Sequence, residues 1–235
     1  MIGRGSVVLP IKCNARTERV VNRIIVVGCG GFGRETICAL IASAEKGDAE
    51  LDEIAVLDDA PSRVNLARLA ALDVRWLGAF QDAHRWVDEY SFVIGVGSPA
   101  IRAGLVDRLA ALGARFETVI DPSARIAESS TLGEGSVVCA GAVISTNVRI
   151  GRHVHINPNA TVGHDTVLAD NVSINPAATI SGEVTAGERV LVGAGAVVLQ
   201  GLTLGSDALV GAAACVTRSV RRGVTVLGVP AHEME

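Results

Sequence analysis

Branched aliphatic residues recur at every sixth position from Ile120 to Val216, with a single alanine, Ala186, in the series and no insertion. This period matches neither the 3.6-residue repeat of an α-helix nor the alternation of an ordinary strand. It predicts a coil of hexads, each with one short flat side and one corner. The residue after each aliphatic one is often glycine or asparagine, as at Gly163 and Asn175. We expect this residue to adopt the left-handed backbone of a tight corner.

Three such sides close a triangular coil of about 18 residues, and successive coils stack at roughly 4.8 Å. The segment Ile156–Pro158 recurs as Ile174–Pro176 after three hexads, which supports this coil length. We expect Asn157 to stack on Asn175. The pattern predicts an all-β parallel helix over residues 118–221, followed by a C-terminal tail over 222–235.

A different pattern precedes the hexads. The buried-strand pattern Arg23–Gly28 leads into a glycine-rich turn and a helical stretch over Arg34–Ala44. The turn fits G-x-G-x-x-G, in which the helix N-terminus offers backbone N–H groups to a phosphate. The alternative is a tight strand-to-helix turn without a ligand. The candidate contacts to a phosphorylated nucleotide are Gly30, Gly31, Phe32 and Gly33.

Two further strand patterns complete this first domain. Glu53–Leu57 ends at Asp58 and Asp59, where a carboxylate can accept hydrogen bonds from a ribose or a base. Their spacing of about 30 residues from the glycines exceeds the usual 20 or so of a dinucleotide fold, which disfavours NAD. The third pattern, Phe92–Gly97, leads through Ser98, a further candidate contact, into a helix over 100–112. The sequence predicts a small Rossmann-like α/β parallel sheet over 23–117, preceded by an extension over 1–22.

The composition of the chain argues against nucleic acid and membranes as binding partners. The chain has 235 residues, a formal charge of -4 and 3% aromatic residues, so it offers no electrostatic surface or stacking platform for nucleic acid. The uncharged run over 190–206 keeps the hexad register, so we expect coil interior and not a membrane span. Five cysteines form no CxxC pair and the N-terminus has no apolar signal core. We therefore predict a cytoplasmic protein with reduced thiols and no membrane or nucleic-acid partner.

Several motifs together resemble one family. They are Gly28–Gly33, Leu57–Asp59, Gly95–Arg102, Val162–Asp165 and Gly228–Ala231. With them the chain resembles the bacterial sugar acyltransferases grouped with sialic acid O-acetyltransferase, which include nucleotide-amino-sugar N-acetyltransferases of bacillosamine and perosamine synthesis. The resemblance implies a left-handed β-helix assembled as a homotrimer. It also implies acetyl-CoA between neighbouring helices, a nucleotide sugar on the N-terminal domain, and active sites that straddle two subunits.

The resemblance also supplies the candidate catalytic residues. His164 matches the catalytic histidine of the family and Asp165 matches the acidic residue that follows it. An imidazole at neutral pH can accept a proton from a sugar amine. Gly182 lies one predicted coil after His164, where its N–H can approach the thioester oxygen. The alternatives are a solvated corner histidine and a plain corner glycine.

Two positions depart from the family pattern, and a basic cluster follows the hexads. Phe32 and Ser173 stand where many relatives have histidine. His155 lies one coil before Ser173, so we expect it either to replace that histidine at acetyl-CoA or to be a surface residue. Arg218, Arg221 and Arg222 are candidates to meet the phosphates of coenzyme A, the alternative being solvated arginines.

These features favour an acetyl-CoA-dependent N-acetyltransferase that acts on a nucleotide-linked 4-amino-4,6-dideoxy sugar, with no metal. The closest alternative is O-acetylation of a sialic-acid-like sugar. Other classes are a γ-type carbonic anhydrase, a non-catalytic scaffold and, more remotely, an NAD-dependent oxidoreductase. The spacing of His153, His155 and His164 by two and nine residues does not suit zinc ligands aligned by whole coils.

Overall fold

The computed structural model describes residues 22–47 and 50–234. Of the predicted N-terminal extension, residues 1–21 therefore lie outside the described part. The hexad region lies within it, as does the first domain apart from residues 48 and 49.

The first domain is a parallel α/β sheet with helices on both sides. Its elements are β1 (Arg23–Val27), α1 (Gly31–Lys46), β2 (Glu53–Leu57), α2 (Arg63–Ala70), β3 (Arg75–Gly78), a 3-10 helix (Phe80–Arg85), β4 (Ser91–Ile94), α3 (Pro99–Ala111) and β5 (Arg115–Phe116). The strand order is β3-β2-β1-β4-β5. Strands β2 and β3 are thus added on one side of β1, and β4 and β5 on the other, so the strand order reverses between β1 and β4. Ligands of such a parallel sheet bind at this switch point, outside the carboxyl ends of the two strands.

The three strands predicted from the sequence are present as β1, β2 and β4, and the two predicted helices are α1 and α3. The sequence reasoning did not predict α2, β3 or the 3-10 helix.

The hexads form short parallel strands, two residues to each side of the coil. These strands are β6 (Val119–Ile120), β7 (Arg125–Ile126), β8 (Thr131–Leu132), β9 (Val137–Val138), β10 (Val143–Ile144), β11 (Arg149–Ile150), β12 (His155–Ile156), β13 (Thr161–Val162), β14 (Val167–Leu168), β15 (Ser173–Ile174), β16 (Thr179–Ile180), β17 (Thr185–Ala186), β18 (Leu191–Val192), β19 (Val197–Val198), β20 (Thr203–Leu204), β21 (Leu209–Val210) and β22 (Cys215–Val216). Two more, β23 (Thr225–Leu227) and β24 (His232–Glu233), close the C-terminal end as an antiparallel pair. The domain is a left-handed parallel β-helix.

Three sheets make up the sides of this β-helix. We call the one that contains β6, β9, β12 and β15 the domain-facing sheet. Its neighbours are the sheet through β7, β10 and β13 and the sheet through β8, β11 and β14. Each strand pairs with the equivalent strand three hexads later, as the register of His155 with Ser173 shows, so the predicted coil length is confirmed.

The aliphatic residues of the hexads point inward and form one continuous core, in which Ile144, Ile156 and Ile174 are almost wholly buried. The small or β-branched residue four positions later is buried as well, as at Val148. The predicted asparagine stack is present, because Asn157 Nδ2 lies 3.5 Å from Asn175 Oδ1.

The expected position of the left-handed backbone was wrong. Positive φ angles occur three residues after the aliphatic residue, as at Asn147 (57°), Asp165 (59°) and Glu183 (61°), and not at the residue directly after it. Where glycine does follow the aliphatic residue, as at Gly163, the reason is close packing of successive coils. A Cβ on Gly163 would come within 2.6 Å of the backbone nitrogen of Gly182 in the next coil.

The first domain packs against the domain-facing sheet. Val119, Val137 and Cys139 share one core cluster with residues of α1 and β1. The corner between β13 and β14 joins the two other sheets, so it lies at the edge of the β-helix opposite the domain-facing sheet. Within the described residues, no helix is both long enough and apolar enough to cross a membrane.

Candidate active site

The corner between β13 and β14 carries a hydrogen-bonded histidine and carboxylate. His164 Nδ1 lies 2.7 Å from Asp165 Oδ2, and the side chains are 58% and 47% exposed. The hydrogen bond with His164, and a second with Asn147, hold the pKa of Asp165 below its usual 3.8. Because the carboxylate only accepts hydrogen bonds, Nδ1 of His164 carries the proton of this bond. When the imidazole is neutral, its lone pair is on Nε2, the ring nitrogen that lies beside Gly182.

Asn147 supports this pair and was not found by sequence reasoning. Its Nδ2 donates to Asp165 Oδ1 at 3.2 Å from one coil earlier. Asp165 itself has φ of 59°, a conformation that asparagine and aspartate tolerate better than most residues. Asn147 and Asp165 are one coil of 18 residues apart, and this spacing could have identified Asn147 from the sequence.

Gly182 lies directly beneath the histidine ring. A Cβ on Gly182 would come within 2.5 Å of both Cε1 and Nε2 of His164. The backbone of Glu183 donates to the carbonyl of His164 at 2.8 Å, which fixes this stacking of the two coils. The structure thus brings His164, Asp165 and Gly182 together as expected, and a role for Gly182 at the thioester stays a prediction.

The glycine loop, Gly28–Gly31, connects β1 to α1 as predicted. Gly28 has φ of 100°, and a Cβ on Gly33 would collide with the carbonyl oxygen of Gly28. Cβ atoms on Gly30 and Gly31 would meet nothing within 4 Å. The first N–H groups of a helix have no intrahelical acceptor, so this open turn can receive an anion.

The two aspartates after β2 have different tasks. Asp58 accepts from the backbone N–H of Cys29 at 2.8 Å and of Ala60 at 2.9 Å, so both its oxygens hold loops together. Burial alone would raise the pKa of Asp58, but these hydrogen bonds outweigh it and the pKa is lowered. Asp59 uses Oδ1 to accept from the N–H of Phe80 at 2.7 Å. Among the described residues, no hydrogen bond to its other carboxylate oxygen is seen, and the hydroxyl of Ser98 makes no capping hydrogen bond.

Phe32, His155 and Ser173 lie far from the corner between β13 and β14, at the contact of the two domains. His155 is 0% and Ser173 1% exposed, so the expectation of a surface histidine is wrong. The His155 ring stacks on Phe32 with centroids 4.1 Å apart. Burial, and then the charge of Arg102, hold the pKa of His155 well below 6.5. This placement does not support the predicted contact of His155 and Ser173 with acetyl-CoA.

The C-terminal arginines are mostly engaged in ion pairs. Arg221 pairs with Glu233 at 2.7 Å, and Arg222 approaches Asp207 at 3.5 Å. Arg218 lines a small cavity beside β22, and no ion pair to it is seen among the described residues. Of the predicted phosphate contacts, Arg218 is thus the better placed and Arg221 is occupied by a carboxylate.

No cluster of three or more histidine, cysteine, aspartate or glutamate side chains suited to a metal occurs within residues 22–47 and 50–234. His164 lies at the exposed corner, whereas His153 and His155 are buried.

Two sequence families match the chain. The PglD N-terminal domain family matches residues 23–109, and the bacterial transferase hexapeptide (six repeats) family matches residues 147–182. The first match covers the α/β domain from β1 into α3, and the second includes His164, Asp165 and Gly182.

Two curated relatives match over parts of their length. GDP-perosamine N-acetyltransferase of Escherichia coli O157:H7 is 30% identical over 147 residues, which is 62% of this chain and 63% of that protein. UDP-N-acetylbacillosamine N-acetyltransferase of Bacillus subtilis (strain 168) is 35% identical over 124 residues, 51% of this chain and 52% of that protein. The matched part therefore spans less than two thirds of each curated relative.

Solved structures match more completely. The acetyltransferase domain of PglB from Neisseria gonorrhoeae FA1090, in complex with acetyl coenzyme A, superposes with a TM-score of 0.81 at 30% identity. The match covers 91% of this chain and 100% of that one. PerB from Caulobacter crescentus, in complex with CoA and GDP-perosamine, gives a TM-score of 0.79 at 29% identity over 92% of this chain and 98% of that one. The chain belongs to the bacterial sugar acyltransferases of the PglD type, which join a Rossmann-like domain to a hexapeptide β-helix.

Proposed function

We propose that this protein is an acetyl-CoA-dependent N-acetyltransferase that acts on the amino group of a nucleotide-linked 4-amino-4,6-dideoxy sugar. The observation that carries the proposal is the His164–Asp165 pair stacked on Gly182 at an exposed corner of the β-helix. The names of the relatives, GDP-perosamine and UDP-N-acetylbacillosamine N-acetyltransferase, support the class of acceptor.

His164 is the proposed general base. Because Asp165 holds the Nδ1 proton, Nε2 is free to accept a proton from the sugar amine, and the carboxylate stabilises the imidazolium that results. His164 can then return this proton to the leaving group. Gly182 allows its backbone to approach the oxygen on which negative charge develops. Acetyl-CoA supplies the acetyl group as an activated thioester.

The edge of the β-helix below His164 suits an extended co-substrate. Gly201 lies one coil after Glu183, and its N–H donates to the Gly182 carbonyl at 3.0 Å. A Cβ on Gly201 would meet nothing within 4 Å, so the edge is open there. Arg218 lies close to this edge at the end of the β-helix and can offer its guanidinium to a phosphate. This arrangement supports acetyl-CoA binding along the corner.

The opposite placement of the two half-sites supports an assembly of several chains. The glycine loop belongs to the domain that packs on the domain-facing sheet, and His164 lies at the opposite edge of the β-helix. The β-helix itself therefore stands between a nucleotide sugar on one chain and the histidine of the same chain. We propose that the acceptor reaches His164 of a neighbouring chain in a homotrimer.

The proposal is tested by thiol release from acetyl-CoA with UDP-, GDP- and dTDP-linked 4-amino sugars and with sialic acid. We expect turnover with at least one amino sugar and a loss of about 100-fold or more in kcat for His164→Ala. His84→Ala is the matched control, since His84 is an exposed histidine of the 3-10 helix. Turnover with sialic acid alone would refute N-acetylation, and full activity of His164→Ala would refute the role of His164.

A further inference from the structure

The junction between the two domains is built around a buried arginine. Arg102, on α3, is 0% exposed. Burial lowers the pKa of Arg102 to about 9, so the guanidinium is still charged at neutral pH. No carboxylate pairs with it among the described residues. An unpaired buried charge is costly unless its donors are satisfied by hydrogen bonds. The Nη1 and Nη2 atoms of Arg102 have such partners, whereas its Nε has none among the described residues.

Those partners belong to both domains. Nη1 donates to the carbonyls of Val96 and Gly97 at 3.0 and 3.3 Å, in the first domain. Nη2 donates to the carbonyls of Asn171 and Val172 at 2.7 and 3.2 Å, in the β-helix. One planar guanidinium therefore ties the loop after β4 to the β-helix.

Two side chains of the domain-facing sheet complete the junction. Arg102 donates to His155 Nδ1 at 2.9 Å and to Ser173 Oγ at 2.9 Å. Because a guanidinium has no acceptor, Nδ1 of His155 carries no proton and the neutral ring has its proton on Nε2. Ser173 in turn donates to the Gly97 carbonyl at 3.2 Å. Nε2 of His155 is buried and has no hydrogen-bond partner among the described residues.

The side chains around Arg102 contact both loops that flank the gap between the carboxyl ends of β1 and β4. These are the glycine loop before α1 and the loop after β4. Phe32, which stacks on His155, belongs to the first turn of α1 directly after the glycine loop. Val96 and Gly97 belong to the loop after β4, the strand next to β1. The crevice between these two loops is where a ligand binds in an open α/β sheet. His155 and Ser173 thus form its support from the side of the β-helix.

We propose that Arg102, His155, Ser173 and Phe32 are positioning residues for the nucleotide sugar, which fix the separation of the two phosphate-side loops by tying both to the β-helix. The inference rests on the proposed function for the identity of the ligand. According to this inference, Phe32 and Ser173 act together to hold the two loops against the β-helix. Both residues lie on the side of the β-helix away from the corner between β13 and β14, so we expect the cluster to act on the nucleotide sugar only.

The test compares Arg102→Lys and Ser173→Ala with the unmodified protein. A lysine is a point charge that cannot span the same acceptors, and Ser173→Ala removes two hydrogen bonds with almost no change in volume. We expect KM for the nucleotide sugar to rise about 10-fold in Arg102→Lys and about 3-fold in Ser173→Ala. KM for acetyl-CoA should stay within about 2-fold and kcat should change little. Calorimetry with UDP, GDP and dTDP should show the same weakening without acetyl-CoA.

Arg108→Lys is the matched control, because Arg108 lies on the same helix but packs over the ring of Phe80 within the first domain. We expect this variant to keep both KM values. Thermal unfolding is measured in parallel to check that each variant is folded. If Arg102→Lys does not fold, the inference is judged on KM of the nearly isosteric Ser173→Ala variant.

Equal rises in both KM values, or unchanged nucleotide affinity in both variants, would overturn the inference, even if the melting temperature fell. Weaker nucleotide binding in the variants of a protein that transfers no acetyl group would leave the inference standing and refute the proposed reaction. An unmodified protein that binds none of the three nucleotides would refute both.

Discussion

The imidazole of His164 lies against the backbone of Gly182, close enough that a Cβ there would come within 2.5 Å of Nε2. The contact follows from the constant coil length, which stacks equivalent corner positions on each other. It places Nε2 beside Gly182, while Nδ1 is held by Asp165. Two residues of adjacent coils thus determine where the proposed base can stand.

Gly182→Ala should reduce kcat by about 10- to 100-fold, because the added methyl group displaces the His164 ring from its bond with Asp165. The ring is more than half exposed, so it can move at little cost, and we expect a fall in melting temperature of only a few degrees. Steady-state kinetics and thermal unfolding measure the two effects.

Gly104→Ala provides the comparison, because Gly104 lies in α3 and a Cβ there meets nothing within 4 Å. This variant should retain full activity. If Gly182→Ala were fully active, the contact between ring and glycine would have no catalytic importance.

Asp165→Asn should lower kcat by about 10- to 100-fold and leave stability nearly unchanged. Asparagine keeps the side-chain shape and tolerates the φ of 59° at this position, but it removes the charge that stabilises the imidazolium. Asn147→Ala should cause a smaller loss, about 3-fold, since it removes one of the two hydrogen bonds of the carboxylate. Equal kcat values for the Asp165→Asn variant and the unmodified protein would show that the carboxylate is dispensable.

The sequence predicted the β-helix well because one period governs a hundred residues. Each hexad repeats the same inward aliphatic position, so residues 18 apart lie in register. This spacing predicts the pairing of His155 with Ser173 and the stacking of Gly182 on His164. The left-handed corner position was assigned wrongly because glycine is frequent at a neighbouring position for steric reasons. A glycine in the sequence is compatible either with close stacking of two coils or with a positive φ, and the residue type alone does not show which of the two applies.

The junction around Arg102 could not be predicted from periodicity. Arg102 and His155 are 53 residues apart and belong to domains with different repeats. The eight residues of α2 form too few turns for a clear helical period, and β3 is an edge strand with both Arg75 and Trp76 exposed. Such elements depend on tertiary packing, which a local pattern does not contain.

Two glycines of the nucleotide motif should respond differently to alanine. In Gly33→Ala the methyl group collides with the Gly28 carbonyl, so α1 must move away from β1. We expect a loss of about 2 kcal/mol or more in the free energy of unfolding. In Gly30→Ala the methyl group meets nothing within 4 Å, so stability should be unchanged while affinity for the nucleotide falls.

Denaturant unfolding and calorimetry with UDP, GDP and dTDP distinguish these effects. Gly33→Ala with unaltered stability would contradict the close packing of helix on strand. Gly30→Ala with unaltered nucleotide affinity would place the phosphates elsewhere than at the glycine loop.

Buried histidines should make the protein less stable in mild acid. Burial, and then the nearby arginines Arg152 and Arg102, lower the pKa of His153 to about 4. In the unfolded chain this histidine titrates near 6.5. Between these two pH values the unfolded state binds the proton and the folded state does not, so the free energy of unfolding falls as pH decreases, by about 1.4 kcal/mol per pH unit for one full proton. The pKa of His155 is also lowered and adds to the same trend.

His153→Asn isolates the contribution of His153. Asparagine tolerates the φ of 54° at this corner and does not titrate, although the variant loses the edge contact of the ring with Phe116. We expect a lower stability at pH 7 and a dependence on pH between 6.5 and 4.5 that is shallower by close to one proton. The comparison is made by denaturant unfolding at fixed protein concentration, and contributions of other groups, such as the raised pKa of Glu117, are common to both proteins. Identical slopes would mean that His153 takes up a proton as readily in the folded state as in the unfolded state, which its burial against Phe116 and Gly135 argues against.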